Sequence, residues 1–262
     1  MDLIDIGLNL THDSFDSDRE EMMAAASELG VRRCIITGTT VEASQQAEAL
    51  AAARNDWFAT AGIHPHHASE LDGEALAALR ALLASANVVA VGECGLDFFR
   101  NYSSREAQVN ALEGQLSIAA ETGKPLFLHQ REAHRDLLDI LRNEPAAMAN
   151  GAVVHCFTDG PDELRDLLDL GMYVGITGWL CDERRGEALR QAARFLPLDR
   201  VMVETDAPYL LPRDLPEKPK GRRNEPRHLP HIVARLAEEM GQPVEAVAAA
   251  TTRNAETLFR LP

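Results

Sequence analysis

The sequence lacks any apolar run near the roughly 18 to 20 residues that a membrane-spanning helix needs, which excludes a helical span. Its first ten residues, MDLIDIGLNL, lack the basic start and small-residue cleavage site of a secretory signal. A soluble, cytoplasmic protein without an anchor is therefore expected. Cysteine is sparse. Cys34, Cys94, Cys156 and Cys181 are scattered with no C-x-x-C pair, which argues against a disulfide framework and a thiolate zinc site. Positive charge is short as well: 26 Lys and Arg against 41 Asp and Glu give a net charge of -15. Tight, non-specific duplex binding, which rests on many cationic contacts to phosphates, is disfavoured. A nucleic acid gripped locally by a metal and a few arginines is not. No G-x-G-x-x-G follows the first strand-like run, and there is no linker, repeat or low-complexity tract.

What is present is an ordinary globular composition, 45% hydrophobic and 26% charged over 262 residues, enough for a sizeable core. Eight short apolar, β-branched runs recur: LIDIG, RCIITG, WFATAG, VVAVG, PLFLH, AVVHCF, MYVGIT and RVMVET. Between them lie amphipathic stretches such as EALAALRALLAS and PDELRDLLDLG, and Gly30, Gly123 and Gly171 read as helix C-caps before the next strand. Strands alternating with helices indicate parallel βαβ units, and continuously apolar strands indicate a sheet covered on both faces. Eight units in this length predict one (β/α)8 TIM barrel spanning residues 1–262, with a doubly wound open sheet as the alternative.

Polar residues mark the ends of these runs. His64 follows the third, Glu93 the fourth, His129 the fifth, His155 the sixth, and Glu204 and Asp206 the eighth. A lone histidine there is commonly a hydrogen-bonded structural residue, and a lone acid a helix cap. In a parallel barrel, however, all these ends share the face where barrel enzymes place their chemistry. Two imidazoles with one or two carboxylates are a usual donor set for a catalytic divalent cation. Strand alternation turns Cys94 and Cys156 away from such a site, into packing.

One loop reverses the charge balance. From Pro212 to His228, six cations (Arg213, Lys218, Lys220, Arg222, Arg223, Arg227) face three acids (Asp214, Glu217, Glu225), a net +3. By itself such a stretch is commonly a solvated loop, but its length also marks it as a candidate functional segment. Phe98, Phe99 and Tyr102 suit stacking on a base or rim packing, and Trp179, Arg184 and Arg185 follow the seventh run.

The pieces GIHPH, VGECGLDF, LHQREA, HCFTDG, ETDAPYL, RRNEP and TTRNAETLF, in that order, resemble the TatD family of metal-dependent deoxyribonucleases, within the amidohydrolase-like barrels. The resemblance implies a monomeric 3'-5' exonuclease of single-stranded DNA, and of RNA, with a role in DNA repair or nucleic-acid turnover. It implies Glu93, His129 and His155 as metal ligands, with Asp206 as catalytic aspartate and further ligand. It also implies His64 as a catalytic and phosphate contact, Glu204 as a supporting catalytic carboxylate, and Arg222 or Arg223 as substrate contacts. The implied ion is Mg2+, although imidazole suits Mn2+ or Zn2+ better. The same resemblance supports, as an alternative, hydrolysis of another bond such as a D-aminoacyl-tRNA ester. The chain departs from the family's first-strand His-x-His: Gly7 and Asn9 stand there, so one firmly held metal is expected.

Overall fold

The computed structural model describes residues 1–217 and 219–262; Lys218, one of the six cations of the basic loop, lies outside the described residues. Eight strands follow the eight apolar runs: β1 (Leu3–Leu8), β2 (Val31–Ile36), β3 (Trp57–Ala61), β4 (Val88–Asp97), β5 (Leu126–Arg131), β6 (Ala152–Val154), β7 (Tyr173–Ile176) and β8 (Val201–Val203). They form one sheet in chain order, from β1 to β8. The registers of β3 with β4, β4 with β5, β5 with β6, and β7 with β8 are parallel. Beyond β8 the chain returns to the end of β1: the Asp206 amide donates to the Gly7 carbonyl at 2.9 Å, and the Asn9 amide to the Ala207 carbonyl at 3.0 Å. Parallel strands in sequential order, with the last returning to the first, are a (β/α)8 barrel.

The crossovers are helical for reasons visible in the sequence. Thr40, Ser104 and Asp72 each accept the amide three residues on, capping the helices Val41–Ala52, Arg105–Thr122 and Gly73–Leu83. Gly123 ends the second of these in the left-handed conformation that only glycine enters without cost. Every residue of β1, β3 and β4 is buried, as strands covered on both faces must be.

The chain divides into two compact units. One comprises Ile36–His155 with Leu258–Arg260 and carries β3 to β6; its core includes Phe127, Leu128, Leu79, Leu83, Leu112 and Leu116. The other comprises Met1–Ile35, Cys156–Thr257 and Leu261–Pro262 and carries β1, β7 and β8 around Leu3, Ile6, Phe15, Met202 and Ile232. In this second unit Asn254 is structural. Its amide donates to the carbonyls of Leu198 and Val201 at 2.8 and 2.7 Å, tying the helix Val244–Phe259 to the start of β8.

Candidate metal centre and its surroundings

The centre is organised around Glu93. The carboxylate does not end its strand, as the apolar run suggested; β4 continues to Asp97. The reason is a break in register. Val91 pairs with Leu126, but Cys94 pairs with Leu128, so three steps on β4 match two on β5. The extra residue is accommodated at Gly92 and Glu93, and such a bulge re-aims a side chain that strict alternation would fix. Gly92 and Gly95 make it feasible. Both have positive φ, +146° and +142°, and an added Cβ would lie 2.2 Å from the Phe127 carbonyl oxygen and 2.0 Å from that of His129. Glycine at both places lets β4 press against β5 and sets Glu93 beside His129.

Three imidazoles converge on one oxygen, Oε1 of Glu93. His155 Nε2 donates at 2.7 Å, His129 Nδ1 at 2.9 Å, and His64 Nε2 lies at 3.2 Å. Burial opposes the charge on Glu93, but the imidazoles of His155 and His64, and hydrogen bonds from His129 and His155, hold its carboxyl well below the usual range. Burial likewise opposes a proton on His129, yet Asp97 and Glu93 outweigh it and raise its pKa. His64 behaves differently, because burial pushes it down to about 4 and Glu93 offsets this only in part. Its Nδ1 accepts the His66 amide at 3.0 Å, capping the short turn Pro65–Glu70, so the neutral ring carries its proton on Nε2.

These residues fit a divalent cation. His64, Glu93 and His129 offer ligand atoms within 4.8 Å of one another. His129 Nε2 is buried without a hydrogen-bond partner, 3.5 Å from Asp97 Oδ2. A carboxylate with imidazoles and an unsatisfied buried nitrogen is a donor set that a cation would complete.

The remaining sequence candidates lie in the other unit. Asp206 is half-buried with φ +53°, and Asn9 Nδ2 donates to its Oδ1 at 2.9 Å. Glu204 is fully buried and accepts the Cys156 amide through Oε1 at 2.5 Å. Both lie beyond the strand, since β8 stops at Val203, and the left-handed turn at Asp206 ends the alternation. Arg223 is engaged within the protein: it donates to Asp18 Oδ1 and Oδ2 at 2.9 and 2.6 Å, to Glu225 Oε1 at 2.9 Å and to the Ser14 carbonyl at 2.6 Å. Arg222 is exposed, with no hydrogen bond or ion pair among the described residues, and lines a pocket. Of the cysteines, Cys94 is fully buried, whereas Cys156 is half-buried with its Sγ 3.7 Å from Thr177 Oγ1.

Residues 4–260 match the TatD-related DNase family. The chain belongs to this family. Among its TatD relatives is the 3'-5' ssDNA/RNA exonuclease TatD of Pantoea ananatis, 50% identical over 261 residues, covering 99% of this chain and all of that one. The protein of the same name from Citrobacter rodentium is 49% identical over 258 residues, 98% of this chain and 97% of that one. Among solved structures, the TatD homologue YJJV of Escherichia coli K12 superposes with a TM-score of 0.92 at 29% identity, covering 99% of this chain and 98% of that one.

Two residues of this TatD-family centre escaped the sequence reading. The sequence assigns Asp97 no role. Its Oδ1 accepts the amides of Phe99 and Arg100 at 3.0 and 2.8 Å, and its Oδ2 lies 2.7 Å from His66 Nε2. Burial opposes its charge, but the neighbouring His129 and His66 imidazoles and the Arg100 amide lower its pKa far more. His66 was visible in GIHPHH but nothing separated it from His67, which pairs with exposed Glu70. Beyond Asp97 stand two exposed aromatics, Phe99 and Tyr102. The Arg131 guanidinium lies 3.9 Å from the Phe99 ring centroid, and Tyr102 meets His66 edge-on at 4.8 Å.

Proposed function

We propose that this chain is a metal-dependent 3'-5' exonuclease that hydrolyses phosphodiester bonds of single-stranded DNA and RNA. The observation that carries the proposal is the convergence of His155, His129 and His64 on Glu93 in a member of the TatD-related DNase family. The names of the half-identical relatives supply the direction and the substrate.

Glu93, His129 and His155 would hold the cation. When bound, it polarises a phosphoryl oxygen and lowers the pKa of a coordinated water. Its identity follows the resemblance to Mg2+, while the imidazole-rich donors also suit Mn2+ and Zn2+. Asp206 matches the family's catalytic aspartate, which would accept a proton from water, and Asn9 fixes its carboxylate by donating to Oδ1. Gly7 has no side chain to ligate, and Asn9 gives its amide to Asp206, which favours a single firmly held ion. Glu204 supports the site by holding the backbone of Cys156, the residue after His155. His64, whose Nδ1 accepts the His66 amide and so leaves the proton on Nε2, would donate to the phosphate. Phe99 and Tyr102 offer faces for sequence-tolerant stacking of bases.

Strands labelled at the 3' end or the 5' end, incubated with and without chelator, test the reading. Release of labelled mononucleotide from the 3' end only, abolished by chelator, supports it. Intact strands with cation present, or free amino acid released from a D-aminoacyl-tRNA, would move the reaction to another bond.

A further inference from the structure

A second concave site lies in the unit that carries β7 and β8. It is a pocket of about 550 Å³ lined by residues of the turn Gly178–Cys181, by Asp182, Arg184 and Arg185, and by residues 210–213, 219, 221 and 222. That volume falls inside the roughly 300 to 1,000 Å³ typical of small-ligand sites. Its walls meet closely, since a Cβ on Gly178 would lie 2.2 Å from the Leu210 carbonyl oxygen.

The lining is unlike the rest of the molecule. Arg184, Arg185, Arg213 and Arg222 face it, and among the described residues Asp182 is the one acid of the lining. Glu183 holds Arg213 at 2.9 Å, so four cations less two acids leave +2, in a chain whose net charge is -15.

Asp182 organises the group. It is 2% exposed and accepts the amides of Arg184 and Arg185 at 2.9 and 3.2 Å. The same carboxylate accepts Arg184 Nη2 at 3.2 Å and Arg185 Nε at 3.0 Å. Two guanidinium groups are thus held by one edge, and their side chains remain 57% and 55% exposed. Arg185 also lies over the Trp179 ring at 4.1 Å, which covers one face of its plane. Arg222 has no partner among the described residues to compete for its donors.

Planar donors held by one edge grip phosphate oxygens, and an arginine plane backed by an indole stacks on a nucleobase. We infer that this pocket is a strand-binding subsite. It takes one nucleotide unit of single-stranded nucleic acid, with the phosphate on Arg184, Arg213 and Arg222 and the base against Arg185 and Trp179. The inference rests on the nuclease reading for the strand but not for the chemistry. Asp182 is a positioning residue here, and the four arginines are the contacts.

The test separates binding from turnover. Oligothymidylates are titrated by fluorescence anisotropy into chelator-treated protein, and the cation-loaded protein is assayed for 3'-end release. Arg222→Ala and Arg213→Ala should each weaken strand binding, raise KM about tenfold with a smaller effect on kcat, and lower the salt slope by about one. Arg185→Lys keeps the charge and the partner of Asp182; it should keep the salt slope while losing the preference for a strand with bases over an abasic one. Thermal melting confirms the fold of each variant. Wild-type KM, salt slope and abasic discrimination in all three would overturn the subsite. A wild-type protein that binds strands through these arginines without releasing nucleotides would instead defeat the nuclease reading and leave the subsite standing.

Discussion

Replacing Gly95 by alanine probes how the centre is built without touching a candidate ligand. Gly95 has φ +142° and pairs with His129 across β4 and β5. A side chain in that backbone region costs about 1–3 kcal/mol on its own. The added Cβ would sit 2.0 Å from the His129 carbonyl oxygen, against at least 3.4 Å for ordinary contact, so the strands must part by the difference, about 1.4 Å. Parting them weakens the local ladder by a further ~1 kcal/mol per hydrogen bond. The expected loss is about 3–5 kcal/mol, a large share of a typical domain stability of roughly 5–15 kcal/mol. His129 moves with its carbonyl, and a misplacement of about 1 Å in a catalytic constellation costs on the order of a hundredfold. Urea denaturation gives the first quantity, and cation affinity with strand cleavage gives the second. Gly73→Ala is the control, since nothing lies within 4 Å of a Cβ there. A Gly95→Ala protein as stable as that control, with wild-type cation affinity, would refute the close-approach argument.

Three further outcomes are expected. Burial pushes the Asp5 carboxyl up from 3.8 to about 7 despite hydrogen bonds from Thr205, with Glu204 adding to the rise. The folded chain therefore keeps a proton that the unfolded chain releases, so this contribution is complete below about pH 4 and is lost as pH rises to about 7. The loss is at most ~4 kcal/mol at 1.36 kcal/mol per pH unit. Denaturation midpoints from pH 4 to 8 should fall less steeply in Asp5→Asn, and an unchanged slope would contradict this. Arg223→Ala should cost about 1–3 kcal/mol in urea denaturation, by leaving Asp18 and the Ser14 carbonyl without their partner, and leave the KM for a strand unchanged; a raised KM at wild-type stability would assign it to substrate. Phe99→Ala should weaken strand binding by about 1–3 kcal/mol in anisotropy titrations, and equal affinity would make the ring mere surface.

The barrel was legible because its strands are buried on both faces, which leaves continuous apolar runs, and because caps such as Ser104 and Gly123 mark the helices between them. The residues that meet at Glu93 were legible as types at strand ends. The bulge was not, because register belongs to a pair of strands and AVGECGLD shows only one of them. The same limit hid Asp97 and His66, whose contacts span 31 residues of chain. Arg222 and Arg223 are chemically identical neighbours, and only the position of Asp18, more than two hundred residues away, distinguishes the tied one from the exposed one.

We propose that Glu93 gathers His129 and His155 into the site of the cation on which hydrolysis depends. It is tested most directly by titrating Mn2+ into chelator-stripped wild type and Glu93→Gln in a calorimeter, with 3'-end release measured on the same samples. The account predicts one firmly bound ion per wild-type chain, and loss of both binding and nucleotide release in Glu93→Gln. A variant that binds the ion and cleaves strands as wild type does would contradict it.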